Sequence, residues 1–471
     1  MLSWEYDVLV VGAGPAGLSV ALEAASLGAR VLVVEKDDRI GGTLHLSGGH
    51  LAAGGTTRQR ERGIEDSPEA HLDDIRRISR GTARDDLIAL VAAHAPDTIE
   101  WLAARGFAFA AETPRIVHGH EPYRTARTYY GTDEGASILA VLESALDDSS
   151  VEVWTRTPVT GLVLDGGVVV GVEVYRDGAE VELRAPSVVL ATGGYGAEPE
   201  LFAELEGAPL VSAAARTSTG DGLLLGQSVG AALQGAGTHL PSFGGLPDPA
   251  SPMRANWADR QVLTSERPPV EIYVDRDGRR WVAEDEPSID AKERALVGIP
   301  DQTFWTVFDD AALAAAVGPA AMVVGREPDE VRAMANARPG VHAAPTLAEL
   351  AALAGISTPG LVSTVSRYNA FVSAQTDPEH GRRHLPSPIA TPPFYAIRNH
   401  AITLVTFQGL DIDATCAVRS VSGSTIPGLY AVGEVIGAGA TCGNSFCSGM
   451  LLTPALTLGR LLGARLGRSA G

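Results

Sequence analysis

An α/β fold around a parallel sheet is predicted by three observations. The chain opens with a β-α-β pattern, two later apolar runs read as buried strands ending at Gly turns or an acidic residue, and the apolar fraction of 45% is that of a large globular protein. With 471 residues the length points to two or three domains, each able to bury a core. The 53 Gly follow no three-residue period, which excludes a collagen-like chain.

The first strand is the apolar run Tyr6 to Val11. Gly12-Ala13-Gly14-Pro15-Ala16-Gly17 follows, then an Ala- and Leu-rich helix to about Leu27, and a second buried run, Arg30 to Val34, ends at Glu35. In such a unit Gly12 permits the tight turn, Gly14 lets a pyrophosphate approach the backbone, and Gly17 allows close helix packing. Glu35 then accepts hydrogen bonds from a ribose. The helix start supplies partial positive charge to the phosphates. Two further Gly clusters, Gly41-Gly42-Thr43 and Ser47-Gly48-Gly49, suit backbone laid against a flat ring and its chain, which favours FAD over NAD. The run 187–190 leads into Ala191-Thr192-Gly193-Gly194, and the strand from Ile426 stops at Gly433-Glu434. No second Gly-x-Gly-x-x-Gly unit stands between 150 and 400, so an NAD(P)H domain is not expected.

These blocks, in this order, resemble the flavoprotein superfamily of fumarate reductase and succinate dehydrogenase flavoprotein subunits, which also holds the 3-ketosteroid Δ1-dehydrogenases. The resemblance covers nearly the whole chain and includes Thr219-Gly220-Asp221-Gly222, Arg367-Tyr368-Asn369 and Pro392-Pro393-Phe394-Tyr395. It implies a split Rossmann-type FAD-binding domain with an inserted α+β substrate-capping domain. The expected boundaries are 1–238 for the first FAD part, 239–387 for the cap and 388–471 for the second FAD part, with Pro-rich stretches 241–252 and 386–393 near the crossings. Within the cap, Val270 to Val282 reads as a hairpin about Asp275-Arg276-Asp277-Gly278. The resemblance implies non-covalent FAD. Besides the residues above, it implies cofactor contacts at Lys36, Val159, Asp221, Glu434, and the turn Gly449-Met450-Leu451-Leu452 that opens the last helix.

The chemistry of that family is hydride exchange at a carbon β to a carbonyl, with a proton moved at the α carbon. Reduction of a dicarboxylate is disfavoured: the family's donor Arg would fall near Ser288, its His-Thr segment reads Val405-Thr406-Phe407, and the Arg of the C-terminal loop is missing. Val405, Phe407 and Phe446 point instead to a less charged pocket, fitted to a cyclic ketone or steroid-like substrate, with Thr406, Phe407 and Phe446 as candidate substrate contacts. Candidate acid and base groups are Tyr129 and Tyr130, with His50 beside Gly49 and His400 before a strand. Tyr123, Arg124 and Arg127 are candidate substrate contacts. An ene-reductase of an enoate and a catalytically silent electron-transfer subunit are the alternatives.

The 37 basic and 57 acidic residues give a net charge of −20, which disfavours nucleic-acid or anionic-membrane partners. An external electron acceptor or oxygen and a small-molecule substrate are the expected partners. Cys416, Cys442 and Cys447 are too few for a disulfide framework, and Cys442 with Cys447 reads as two small buried residues. No run approaches a membrane span, and the start of the chain lacks the pattern of a signal peptide, so a cytoplasmic location is expected. No cluster has metal-ligand spacing.

Overall fold

The computed structural model describes residues 4–260 and 267–470. Its first sheet has six strands, in the order Ala417–Arg419, Thr425–Ala431, Ser187–Leu190, Val8–Val11, Val31–Val34 and Glu152–Trp154. All neighbours run parallel except the first pair. Every residue of Val8–Val11 and Val31–Val34 is buried, as expected of strands covered on both faces. A three-stranded antiparallel sheet, Val159–Asp165, Val168–Arg176 and Ala179–Arg184, stands beside it.

The first helix, Pro15–Ser26, packs along the last one, Leu452–Ala470. Gly459, Gly463 and Gly467 recur every four residues and so line one helix face. A Cβ on them would come within 2.7, 2.4 and 2.9 Å of the carbonyl oxygens of Ala16, Val20 and Ala24. These glycines let the two helices approach backbone to backbone, which brings the 449–452 turn to the same end of the sheet as Gly12.

A second, antiparallel sheet holds Ser251–Arg260, Ser242–Asp248, Phe394–Ile402, Thr303–Asp309 and Ile272–Val274 in that order, and Val341–Ala344 also pairs with Phe394–Ile402. Separate apolar clusters lie on it, one including Leu350, Leu361 and Tyr368, another Phe308, Leu313 and Tyr395. The expected return to the flavin domain at 388 falls just before a strand of this sheet. Phe394–Ile402 is bonded on both edges within the cap sheet, and beyond it the chain bonds to the flavin side from Thr403, which bridges Ser212, through Gly409–Leu410, which pairs with Leu233–Gln234. The second Pro cluster therefore marks entry into a strand.

The hairpin expected over 270–282 is also reduced to a single bridge between Val274 and Arg280. Ile272–Val274 pairs with Thr303–Asp309 instead. Arg280 lies in a buried ion cluster with Glu284 and Asp377, at 2.6 and 2.8 Å.

Among the described residues one helix, Asp85–Ala104, has the length and the mean hydropathy, 1.2, of a membrane span, and half of it is buried within the protein like a core helix.

His71, fully buried on the neighbouring helix Pro68–Ile78, has neither ring nitrogen hydrogen-bonded. Burial, with the Arg127 charge nearby, pulls its pKa down to about 3. Below the ordinary histidine value of about 6.5 the unfolded chain takes up a proton that the folded chain refuses. Stability is thus fully present above that pH and falls as pH drops toward 3, by about 1.4 kcal/mol per unit. His71→Leu is expected to remove this dependence. Urea unfolding at pH 7 and pH 5 should show the variant losing about 2 kcal/mol less than the parent chain, and equal losses would contradict the assignment.

Candidate active site

Gly12 has φ +104°, and a Cβ there would lie 2.5 Å from the Ala191 carbonyl oxygen; one on Gly17 would lie 2.1 Å from the Gly12 oxygen. Gly14 differs, since its Cβ would meet nothing within 4 Å. Packing thus requires the first and third glycines, while the second faces open space. Gly14 caps the helix without a side-chain hydrogen bond and Pro15 follows, so the first-turn N–H groups are left for a ligand. Glu35 is held at this turn, Oε2 accepting from Ala13 N at 2.8 Å and Oε1 from Asp37 N at 2.8 Å.

The other expected cofactor blocks converge here. Gly41 N donates to Ala13 O at 2.9 Å, a Cβ on Gly42 would sit 3.5 Å from Gly14 Cα, and Thr43 continues the same single turn. Gly433, at φ +80°, lies against Ala16, its Cβ position 2.8 Å from that methyl. Thr192 Oγ1 is buried with no hydrogen-bond partner among the described residues, between Ala191 and Gly193. Ser47 Oγ accepts from Gly49 N at 3.0 Å, which orients the Gly48-Gly49 backbone. In the turn of Gly449, Met450, Leu451 and Leu452, Gly449 has φ +75°, and its Cβ would meet Ala52 N at 2.5 Å. The open space at Gly14, the uncapped helix start and the orphaned Thr192 hydroxyl fit FAD.

Some expected cofactor residues are occupied with one another. Lys36 Nζ pairs with Asp221 Oδ2 at 2.7 Å. Glu434 Oε1 accepts from Thr406 N and Oγ1, at 2.9 and 3.1 Å, and burial raises its pKa. Val159 opens its strand opposite Val174, in the side sheet.

On the substrate side the structure separates the two tyrosines. Tyr129 is 0% exposed and its hydroxyl lies 2.6 Å from Thr56 Oγ1, with burial pushing its pKa well up. Tyr130, half-buried, donates to Glu112 Oε1 at 2.8 Å and stands 5.4 Å from the His50 ring. Gly48, His50 and Tyr130 line one cavity of about 430 Å³. Burial, then the nearby Arg115, lowers the pKa of His50 and favours its neutral form.

Several expected contacts have other work. Arg127 is 1% exposed and bound to Asp66 and Asp74, so it is not free to hold a substrate carboxylate. Arg124 is exposed, 3.6 Å from Asp74. Tyr123 donates to Ser448 O at 2.6 Å, supporting the flavin-side loop. Thr406 is committed to Glu434. His400 lies on the cap sheet, Nδ1 2.7 Å from Thr303 Oγ1 and Nε2 accepting from Arg398 at 3.0 Å; burial and that cation pull its pKa to about 4. With both ring nitrogens engaged, it is not an available proton carrier. Phe407 and Phe446 do meet, edge to face at 5.4 Å, in an apolar cluster with Leu240 and Ala438.

Three groups escaped the sequence reading. The His120 ring lies 4.9 Å from that of Phe446, tilted to it, and Asp290 and Glu293, one turn apart on the cap helix Ile289–Val297, come beside it. Burial lowers the His120 pKa to about 4, raises that of Asp290 to about 6, and raises that of Glu293 well above its ordinary value. No metal-ligand spacing is present in the sequence, and these three groups, far apart along the chain, are brought together only by the fold. The only sequence signals were His120 in the segment singled out for its tyrosines, and the i,i+3 acids after Ser288. Cys416, Cys442 and Cys447 are free and buried.

A parallel sheet with a Gly turn at a helix start, closed by a Gly-rich C-terminal loop, defines a flavoprotein oxidoreductase. The chain belongs to the FAD binding domain family, whose model matches residues 7–451, and so to the FAD-dependent fumarate reductase and succinate dehydrogenase superfamily. It is similar to the probable fumarate reductase Ifc3 of Shewanella frigidimarina, 29% identical over 98% of this chain and 75% of that protein. It is also similar to the 4-oxocyclohexanecarboxylate 2-dehydrogenase of Sinomonas cyclohexanicum, 28% identical over 99% of this chain and 94% of that one. Among solved structures, the 3-ketosteroid-Δ4-(5α)-dehydrogenase from Rhodococcus jostii superposes with a TM-score of 0.73 at 26% identity, over 99% of this chain and 98% of that chain. The protein is an FAD-dependent oxidoreductase acting on carbon–carbon bonds.

Proposed function

We propose that the protein dehydrogenates the Cα–Cβ bond beside the carbonyl of a neutral cyclic ketone, steroid-like in its apolar bulk, and passes the electrons to an external acceptor. The observation that supports this most is the buried apolar cluster of Phe407, Phe446 and Leu240, at 0, 5 and 2% exposure, together with the engagement of Arg127 by its own acids elsewhere. Such a cluster gains from an apolar ring and offers little to a dicarboxylate. Hydride exchange with the carbon β to the carbonyl is what FAD supplies when bound.

The chain's own groups do the rest. The aromatic rings exclude water and fix the substrate plane, and the N–H groups at the start of the last helix favour negative charge before them. Tyr130, next to neutral His50, moves the α proton. The relatives named as ketone and ketosteroid dehydrogenases are in keeping with this reading. Arg294 favours a second one, reduction of an anionic enoate. It lines a cavity of about 240 Å³ with Arg77 and Arg80, and its Nη1 is 3.5 Å from Ser445 Oγ.

Anaerobic mixing of the yellow protein with cyclohexanone derivatives and 4-androstene-3,17-dione should bleach the visible flavin band. If the reduced protein is instead reoxidised by fumarate or acrylate and no ketone bleaches it, the enoate reading replaces this one. Tyr130→Phe is expected to slow ketone-driven bleaching by about 10²-fold. Tyr129→Phe should leave that rate unchanged and cost about 1 kcal/mol of stability, measured by urea unfolding. The reverse pattern would move the proton to Tyr129.

A further inference from the structure

We propose that His120, Asp290 and Glu293 bind one divalent transition-metal ion, Zn²⁺ foremost, at the seam between the cap helix and the flavin-side loops. One nitrogen or oxygen from each residue lies within 4.8 Å of the other two. The site is built from both sides of the seam. Ser288 caps the cap helix, accepting from Ala291 N at 3.0 Å, and its hydroxyl is also hydrogen-bonded to Glu121, the residue after His120.

The second observation is the state of the ligand atoms. Asp290 is 0% and Glu293 1% exposed, yet Glu293 Oε2 and His120 Nδ1 have no hydrogen-bond partner among the described residues, and the Asp290 carboxylate has only the Ser445 side chain and the Phe446 N–H facing it, beyond good hydrogen-bond geometry. Buried carboxylates are ordinarily paired or on a metal. Glu293 Oε1 accepts from Phe243 N at 3.0 Å, a backbone hold that leaves Oε2 turned to its neighbours. The nearby cation does not satisfy the pair. Arg294 Nη1 stays 3.9 Å from Asp290 Oδ2 and reaches 3.4 Å from the Asn444 carbonyl oxygen.

Charge and donor type select the ion. Two ionised carboxylates and a neutral imidazole are balanced by a 2+ ion, whereas a monovalent ion leaves net charge buried. One nitrogen and two oxygens suit Zn²⁺, or Mn²⁺ and Fe²⁺, better than all-oxygen Ca²⁺ or Mg²⁺ sites. Bond lengths of about 2.0–2.2 Å need only side-chain movement to draw the three atoms together. Three ligands leave a position for water or a substrate oxygen, and the Phe446 ring 4.9 Å from His120 puts it at the apolar cluster proposed to meet the substrate. Polarisation of a substrate carbonyl there rests on the function proposed above; metal binding does not.

The test uses tag-free, FAD-loaded protein, stripped with EDTA, desalted, and titrated with ZnCl₂, MnCl₂ and MgCl₂ by calorimetry, with metal content measured after a second desalting. About one Zn²⁺ retained per chain is expected, with Mg²⁺ displaced by it. Asp290→Asn, Glu293→Gln and His120→Ala should each weaken binding by at least about tenfold while retaining the flavin spectrum. A parent chain that retains no Zn²⁺ overturns the site and leaves the three groups holding protons only. Unchanged binding in all three flavin-retaining variants also overturns it, by placing the ion elsewhere. Should a variant lose its flavin, X-ray absorption at the zinc edge of the parent chain decides: nitrogen and oxygen scattering alone is expected, and sulfur would move the ion to Cys442 and Cys447. Because ketone bleaching is read separately, failure of the metal site and failure of the proposed reaction are distinguishable.

Discussion

A Gly14→Glu chain is expected to fold and to purify colourless. Gly14 has φ −76° and ψ 179°, extended backbone open to any residue, and no atom lies within 4 Å of where its Cβ would be. The new carboxylate would instead occupy the space before the helix start, where the pyrophosphate of FAD is expected. Two negative charges about 4 Å apart at an effective dielectric near 20 repel by about 4 kcal/mol. That corresponds to about 10³-fold weaker FAD binding, at about 1.4 kcal/mol per decade. The inserted carboxylate also competes for the free N–H groups, which adds to the loss. Fluorescence titration with FAD gives the affinity, and far-ultraviolet circular dichroism reports the fold. Gly12→Ala is the contrasting case. With φ +104° and a carbonyl oxygen 2.5 Å from the new methyl, it should damage the fold and the flavin site together. A yellow Gly14→Glu protein of unchanged affinity would place the pyrophosphate elsewhere.

The contrast between these glycines shows what kind of information the sequence carried. The β-α-β unit was legible because each of its parts is local: a strand, a turn, a helix start and Glu35 lie within 30 residues, and their spacing is set by backbone geometry. The substrate side is different. Thr128–Tyr129 is a two-residue strand paired with Leu51–Ala52, and alternation along it sends Tyr129 toward Thr56 and Tyr130 toward His50. Adjacent tyrosines look equivalent in the chain until the pairing partner is known. Asp290 and Glu293 meet His120 only because the cap folds back over the flavin-side loops, a contact between segments some 170 residues apart for which no local pattern exists. The strand Phe394–Ile402 was hidden for a related reason. Its Pro-rich approach resembles a boundary, and its membership of the cap sheet depends on ladders to Ser242–Asp248 and Thr303–Asp309.

Arg127→Met is expected to unfold more readily by about 3–5 kcal/mol, the cost of leaving buried carboxylates without their cation. Arg127 is 1% exposed. It donates Nε and Nη2 to Asp66 at 2.6 and 2.7 Å, and Nη1 to Asp74. Asp74 also accepts from Arg77 Nε at 3.0 Å and Arg124 N at 2.9 Å, and Asp66 from Gln59 Nε2 at 2.8 Å. These remaining donors keep part of the network and hold the loss within that range. A loss of this size is a large share of the about 5–15 kcal/mol that a domain usually has. Arg127→Lys should recover little, since an ammonium cannot reproduce the two-pronged contact with Asp66. Adding Asp66→Asn and Asp74→Asn to Arg127→Met should recover part of the loss by removing the orphaned charges. The change should also reach the flavin, because the guanidinium sits 5.6 Å from the Tyr123 ring, whose hydroxyl holds Ser448 O just before the Gly449 turn. Urea unfolding and FAD affinity measure the two effects. Had Arg127 been a substrate ligand, as its place in the sequence suggested, Arg127→Met would raise KM and leave the unfolding midpoint where it was; that result would remove the structural role assigned to this buried arginine.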